Sequence, residues 1–221
     1  MALYETYGQY GLSVLIGYLL GCLSPSWLVG KLKGYDVYRS GSGNPGASNT
    51  VIMAGKLAGF GVALTDILKA AGSWWLCRRL FPLLRLAGLV AGVAAMFGHM
   101  YPVFMRFHGG KGLACLGGTA LAFSPKFMLI MLGVAFLVAL VTDYVCIATV
   151  VMSWVVPAAY GFLTGDWTGA VIWMLPAIPI LCKHLINFRR IRTGEELRFS
   201  FLWNRKAELE RIGRSEEDKA G

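Results

Sequence analysis

The chain has 221 residues, of which 56% are hydrophobic and 15% charged, with a mean hydropathy of +0.58 and a net charge of +9. Soluble domains run at roughly 45–50% apolar, so an ordinary water-soluble globule is excluded and bilayer lipid must solvate much of the surface. The positive charge does not indicate a nucleic-acid partner, because the basic residues flank apolar runs or sit near the C-terminus.

A spanning helix needs about 20 mostly apolar residues. The first candidate is 11–30. It lacks a basic segment ahead of it and a small-residue cleavage site behind it, so it is expected to be retained as a span rather than removed as a signal. The stretch 40–49 follows, reading Ser-Gly-Ser-Gly-Asn-Pro-Gly-Ala-Ser-Asn. Glycines let successive backbone N–H groups turn toward one point and form an anion-binding nest. Ser42, Asn44, Ser48 and Asn49 add side-chain donors, and a helix beginning near Ser48 would add its dipole.

The second span, 57–77, carries Asp66 and Lys69, spaced i and i+3. Isolated intramembrane charges are expensive, so a mutual ion pair supporting the site is expected. The third span, 86–104, runs into a second polar stretch, 98–112. There Lys111 is set between Gly110 and Gly112, so a ligand could meet backbone and ammonium together. The nucleotide-binding spacing is absent, and the likeness to a phosphate loop is one of logic only. His99 at the helix end reads equally as a packed neutral histidine or a functional one.

The apolar stretch 113–141 is too long for one span and is divided by Ser124-Pro125-Lys126. Spans at 144–163 and 167–185 follow, the last leading into His184, Asn187, Arg189, Arg190, Arg192, Gly194, Glu195 and Glu196. His184 and Asn187, i and i+3, share a helix face. The five cysteines, Cys22, Cys77, Cys115, Cys146 and Cys182, lie in or beside apolar runs without ligand spacing and are expected to be free thiols. Residues 198–221 form a mixed-charge tail, expected to be a short fraying helix, after a membrane domain at 1–197.

Orientation follows from the lysine and arginine count. The first loop, the loop after the third span and the C-terminal segment together hold sixteen basic residues; the other side holds four, Arg78, Arg79, Arg85 and Lys126. The expected architecture is all-α, a polytopic membrane protein of seven transmembrane helices. The N-terminus is expected outside, with the C-terminus and the three polar stretches cytoplasmic.

These stretches, in this order, resemble the acyl-phosphate-dependent glycerol-3-phosphate acyltransferase family (PlsY). Its first motif is matched by Ser42 to Asn49, with Ser48 for threonine. Its second is matched by Gly98–Phe104 and by Gly109, Gly110, Lys111 and Gly112, and its third by His184, Asn187, Gly194 and Glu196. The likeness runs from about Gly17 to Glu196 and includes Asp66 and Lys69. It implies an enzyme of phospholipid biosynthesis in the bacterial plasma membrane. The reaction implied is transfer of a fatty acyl group from acyl phosphate to the 1-hydroxyl of glycerol 3-phosphate, giving lysophosphatidate.

By the same likeness His184, Asn187 and Ser42 would be catalytic. Asn44, Ser48, Asn49, Gly109, Gly110, Lys111 and Gly112 would bind the substrates, and Glu196 would be structural. Phosphate is already a good leaving group, so no metal or cofactor is expected. The partners would be glycerol 3-phosphate, acyl phosphate and membrane lipid.

Two positions depart from the family pattern: Ile52 stands where an arginine is usual, and Cys146 where a serine is usual. They support a second reading, a family member without catalysis that binds lipid or phosphate, while His184, Asn187 and Lys111 oppose it. A phosphoanion transporter ranks third, since intramembrane charges are few and no repeat is visible.

Overall fold

The computed structural model describes residues 3–204, 207, 208, 210 and 211. Among these the regular elements are all helical. In chain order they are α1 (Leu3–Gly21), α2 (Pro25–Lys33), α3 (Ala47–Ala54), α4 (Lys56–Leu80), α5 (Ala87–Met100), α6 (Leu113–Phe123), α7 (Pro125–Thr142), α8 (Val145–Thr164), α9 (Trp167–Met174) and α10 (Ala177–Arg192). Short 3₁₀ turns occupy Val103–Met105 and Phe199–Leu202. Helices satisfy their own backbone groups, which lipid cannot do for them.

Two expected spans are present but are not continuous helices, because proline divides each. The 11–30 stretch is interrupted between Gly21 and Pro25, with Ser24 extended at φ −115° and ψ 92°. Proline suits a first helical turn, where it has no needed N–H to lose. The 167–185 stretch is likewise split at Leu175 and Pro176 into α9 and α10. The expected division of 113–141 falls at Ser124, which ends α6 and caps α7 by accepting the Phe127 N–H at 3.3 Å.

Five stretches are long and apolar enough to cross a bilayer: Tyr4–Lys33, Ala87–Met105, Pro125–Thr142, Val145–Thr164 and Trp167–Arg192. On α7, Leu129, Ile130, Leu132, Phe136 and Leu137 are all exposed, as a lipid-facing surface requires. α4, at 25 residues or about 38 Å, is also long enough but carries Asp66 and Lys69. α6, with 11 residues, reaches about 17 Å.

Small residues let the helices meet backbone to backbone. A Cβ added to Gly17, Gly21 or Gly98 would lie 2.1, 2.2 or 2.1 Å from a carbonyl oxygen of the facing helix in the α1–α5 contact. This is the packing mode expected where lipid supplies no hydrophobic drive between helices. The thicker part of the core surrounds Trp173, whose ring meets Trp74, Phe123, Phe127 and Tyr160 and whose indole N–H donates to Thr119 Oγ1 at 3.0 Å.

α8 has 20 residues and spans about 30 Å, which sets Asp143 and Asp166 at opposite ends. At one end Asp166 accepts from Gly169 N and Tyr160 Oη at 3.0 and 2.8 Å and pairs with Arg85 at 2.7 Å. Burial pushes its carboxyl up, but these partners outweigh burial and hold it below the usual carboxylate range. At the other end the chain beyond α10 folds back, and Phe199 N donates to Asp143 O at 2.7 Å. The described part of 198–221 begins with a docked 3₁₀ turn with Phe201 buried, which was not expected, and continues into helical residues at Glu208 and Arg211, where a short helix was. Met1, Arg205 and the residues after Arg211 lie outside the described set.

Candidate active site

The first polar stretch is organised from below by one side chain. Asn49, fully buried on α3, accepts the Ser42 N–H through Oδ1 at 2.8 Å and donates Nδ2 to Val37 O and Ser40 O, each at 3.1 Å. Both ends of its amide are committed to the loop. Asn49, expected from the sequence to bind substrate, thus shapes the loop from beneath. Asn44 lies half-buried over Gly46, the residue before α3, and Ser42 is half-buried, while Ser48 is exposed on the first turn. α3 begins at Ala47, so the N-terminus expected near Ser48 is present.

The second stretch returns on itself after α5. Gly110 N donates to His99 O at 3.0 Å and Gly109 N to Met100 O at 3.1 Å. The tight return needs left-handed backbone at Arg106, Phe107 and Gly112. It also needs bare Cα atoms, since a Cβ on Gly110 would sit 2.3 Å from His99 Nε2 and 2.9 Å from Pro45 O. The same contact shows that the first two stretches abut, and Tyr38 Oη fastens them by donating to His108 O at 2.8 Å.

The third stretch meets the second through Lys111. Its ammonium donates to Asn187 Oδ1 at 2.6 Å, and Asn187 Nδ2 donates to Glu196 Oε1 at 2.6 Å. A donor-only ammonium on one side and an acceptor-only carboxylate on the other fix which way the Asn187 amide points. Glu196 reaches Asn187 because Gly194, left-handed at φ 75°, turns the chain after α10, and Arg190 O accepts the Glu195 and Glu196 N–H groups at 2.8 and 3.1 Å. Burial draws the Lys111 ammonium down from its ordinary value, with Glu196 acting in the opposite direction.

His184 lies one turn before Asn187 and is buried. Its Nδ1 is 2.7 Å from Ile180 O. A carbonyl can only accept, so the proton of the neutral ring sits on Nδ1 and the lone pair on Nε2.

Behind the second stretch, Lys69 Nζ lies 2.6 Å from Asp66 Oδ1, 3.0 Å from His99 Nδ1 and 2.6 Å from Leu23 O. The expected ion pair is thus present, with His99 joined to it. Asp66, His99 and Cys115 bring possible ligand atoms within 4.8 Å of one another. The Lys69 ammonium already makes the cationic contact with two of the three, so the cluster fits a charge-compensated brace and not a metal centre.

The contacts of three further cations were not expected from the sequence. Lys183, counted there only as a cytoplasmic charge, donates to Gly109 O at 3.1 Å and lies 4.7 Å above the Tyr101 ring. Arg190 points Nη1 toward Ser42 O at 3.5 Å. Lys56, the cation nearest in sequence to Ile52, is turned away to Leu202 O at 2.8 Å. The positions of Lys183 and Arg190, one residue before His184 and three after Asn187, were the available signal.

A family model described as glycerol-3-phosphate acyltransferase matches residues 11–194. A protein of Oceanobacillus iheyensis, glycerol-3-phosphate acyltransferase 1, is 34% identical over 212 residues, covering 90% of this chain and 99% of that protein. The Rubrobacter xylanophilus glycerol-3-phosphate acyltransferase is 38% identical, covering 85% and 94%. The fold is also similar to crystal structures of PlsY, an integral membrane glycerol 3-phosphate acyltransferase. Its glycerol 3-phosphate form gives a TM-score of 0.76 at 31% identity, covering 87% of this chain and 96% of that one. Its lysophosphatidic acid form gives 0.76 at 32%.

Proposed function

Since the chain belongs to the glycerol-3-phosphate acyltransferase family of integral membrane proteins, we propose that it moves a fatty acyl group from acyl phosphate to the 1-hydroxyl of glycerol 3-phosphate. The observation that carries this reading is the hydrogen-bonded run Lys111–Asn187–Glu196, which fixes one ammonium beside a glycine-rich loop at the same end of the helices. Both substrates are phosphoanions, and one has a lipid tail. A cationic polar site opening beside exposed apolar helix faces suits the pair.

In the transfer, the glycerol 3-phosphate hydroxyl oxygen attacks the acyl carbonyl carbon. The bond from that carbon to the phosphate oxygen breaks, and its electron pair leaves with phosphate. The hydroxyl proton passes to His184 Nε2. Lys111, held by Asn187, balances phosphate charge; Gly109 and Gly110, whose N–H groups are bonded to Met100 O and His99 O, shape the loop, and the Gly112 N–H and the side chains of Ser42, Asn44 and Ser48 orient the anions. Positioning and charge stabilisation carry the rate enhancement, because the leaving group is already activated. Lysophosphatidate and phosphate are the products.

The donor is tested with purified protein, glycerol 3-phosphate and either palmitoyl phosphate or palmitoyl-CoA. Turnover is expected with the phosphate donor and not with the thioester, for which the polar stretches present no adenine or pantetheine contacts. Faster turnover with palmitoyl-CoA would reverse the donor assignment.

The seven-span reading counts the five long apolar stretches together with α4 and α6, and puts the site on the cytoplasmic face. After Cys182→Ser, a thiol introduced at Asp166 should react with an impermeant maleimide added outside sealed cells, and one at Ser42 should not. Labelling of the Ser42 position from outside would invert the arrangement.

Binding without turnover is favoured by one observation: α3 brings Ile52 and no charge to this region, and Lys56 is engaged by the Leu202 carbonyl. Glycerol 3-phosphate binding with no turnover from either donor decides for it.

A further inference from the structure

The segment after α10 touches two separate parts of the helical body and is tied to itself by a buried carboxylate. Ser200 N and Oγ donate to the Asp143 carboxylate at 2.9 and 3.2 Å, in the turn between α7 and α8. Leu202 O receives Lys56 from the start of α4. Glu208, only 5% exposed, accepts the Arg198 N–H at 2.8 Å and Arg211 Nε at 2.9 Å. A solvated tail would neither bury Phe201 and Glu208 nor commit its backbone to distant loops.

Arg211 is the end of this arrangement. Held by Glu208, its guanidinium donates to Gly194 O and, through Nη2, to Glu196 O at 2.7 Å. These two carbonyls belong to the turn that presents the Glu196 carboxylate to Asn187. A guanidinium can serve both because its donors form a rigid planar fork, which an ammonium lacks. The family model ends at residue 194, so the clamp comes from outside the matched region.

We propose that Arg211 is a positioning residue for the substrate site: it fixes the Gly194–Glu196 turn, so that Glu196 holds Asn187 and Asn187 holds Lys111. The inference rests on the reading of Lys111 and Asn187 as substrate-handling groups. Contacts in one hydrogen-bonded network couple non-additively, which gives the inference a distinctive signature.

The test uses the full chain in detergent with Arg211→Ala, Arg211→Lys and Glu196→Ala, alone and with Arg211→Ala added to Glu196→Ala. Arg211→Ala should lower kcat/KM by about 3- to 30-fold in protein whose thermal midpoint, lowered by the loss of the Glu208 partner, stays above the assay temperature. Arg211→Lys, which keeps the charge and loses the fork, should behave like the alanine variant. The double variant should lose no more than Glu196→Ala. A readout independent of turnover is the rate at which Lys111 is acetylated by an amine-reactive ester, mapped by mass spectrometry with Lys183 as reference. It should rise in Arg211→Ala as Asn187 releases the ammonium. Unchanged kinetics and unchanged Lys111 labelling in Arg211→Ala overturn the proposal, as do losses that add in full or full rescue by lysine. If Glu196→Ala does not fold, the lysine comparison and the labelling decide alone. A native protein with no turnover defeats the proposed reaction, while the labelling difference still decides the clamp.

Discussion

His184→Ala should lower kcat by about 10²–10⁴-fold, the range that general acid–base assistance supplies, and leave the helices assembled. The ring is buried, but among the described residues its hydrogen bond runs to Ile180 O on its own helix, four residues back. Removing it therefore deprives no neighbouring helix of a partner. That bond also makes the ring a base, since it places the proton on Nδ1 and leaves Nε2 free to accept. His184→Gln cannot replace this, because a side-chain amide is a very weak base. Stopped assays of acyl transfer under saturating substrates would measure the loss. A rate within a few fold of the native one would assign the proton to the departing phosphate, and His184 would become a packing residue.

Gly109→Ala should be comparably severe for a different reason. The added Cβ would lie 2.0 Å from His99 O, 2.5 Å from Pro102 Cδ and 2.9 Å from Met100 C. Two of these are backbone atoms of the helix end that supports the loop, so relief requires moving the loop itself. That motion breaks the Gly109 N–H to Met100 O bond and pulls Gly109 O from Lys183, two residues from the ammonium that Asn187 holds. A displacement of about 1 Å costs on the order of 10²-fold in a reaction that depends on orientation, and overpacking costs roughly 1–3 kcal/mol of stability. Gly117→Ala is the control, because a Cβ there meets nothing within 4 Å. Equal kcat/KM in the two variants would mean that the loop yields and does not orient substrate.

Much of the architecture was legible in the sequence, because in lipid an apolar run of sufficient length has only one economical conformation. The break at Ser124-Pro125 was readable, and the breaks before Pro25 and Pro176 were equally available but were passed over inside long hydrophobic windows. The composition of the polar stretches pointed to an anion site, yet it did not say which of their donors are left for a ligand. Asn49 shows why: its amide matches three backbone partners in its own loop, and nothing in the residue's identity separates that use from ligand binding. Lys183 and Arg190 were visible only as charge. Arg211 was invisible as a contributor because its role depends on a fold-back of the chain that no periodicity records.

The buried Asp66–Lys69–His99 cluster constrains how the protein is made. α4 emerges from the ribosome with an unshielded acid and an unshielded base near its middle, and each costs roughly 2.5–3.5 kcal/mol at the centre of a helix during insertion. Their mutual contact at 2.6 Å removes part of that cost within the helix. The rest is removed by groups on other segments: Leu23 O, synthesised earlier, and His99, synthesised some 30 residues later. On the seven-span reading proposed above, α4 enters the lipid as a dependent segment, received by its predecessor and completed by its successor. The order of synthesis matters to its stability, and a shortened chain ending between α4 and α5 would present the membrane quality-control machinery with a half-neutralised helix.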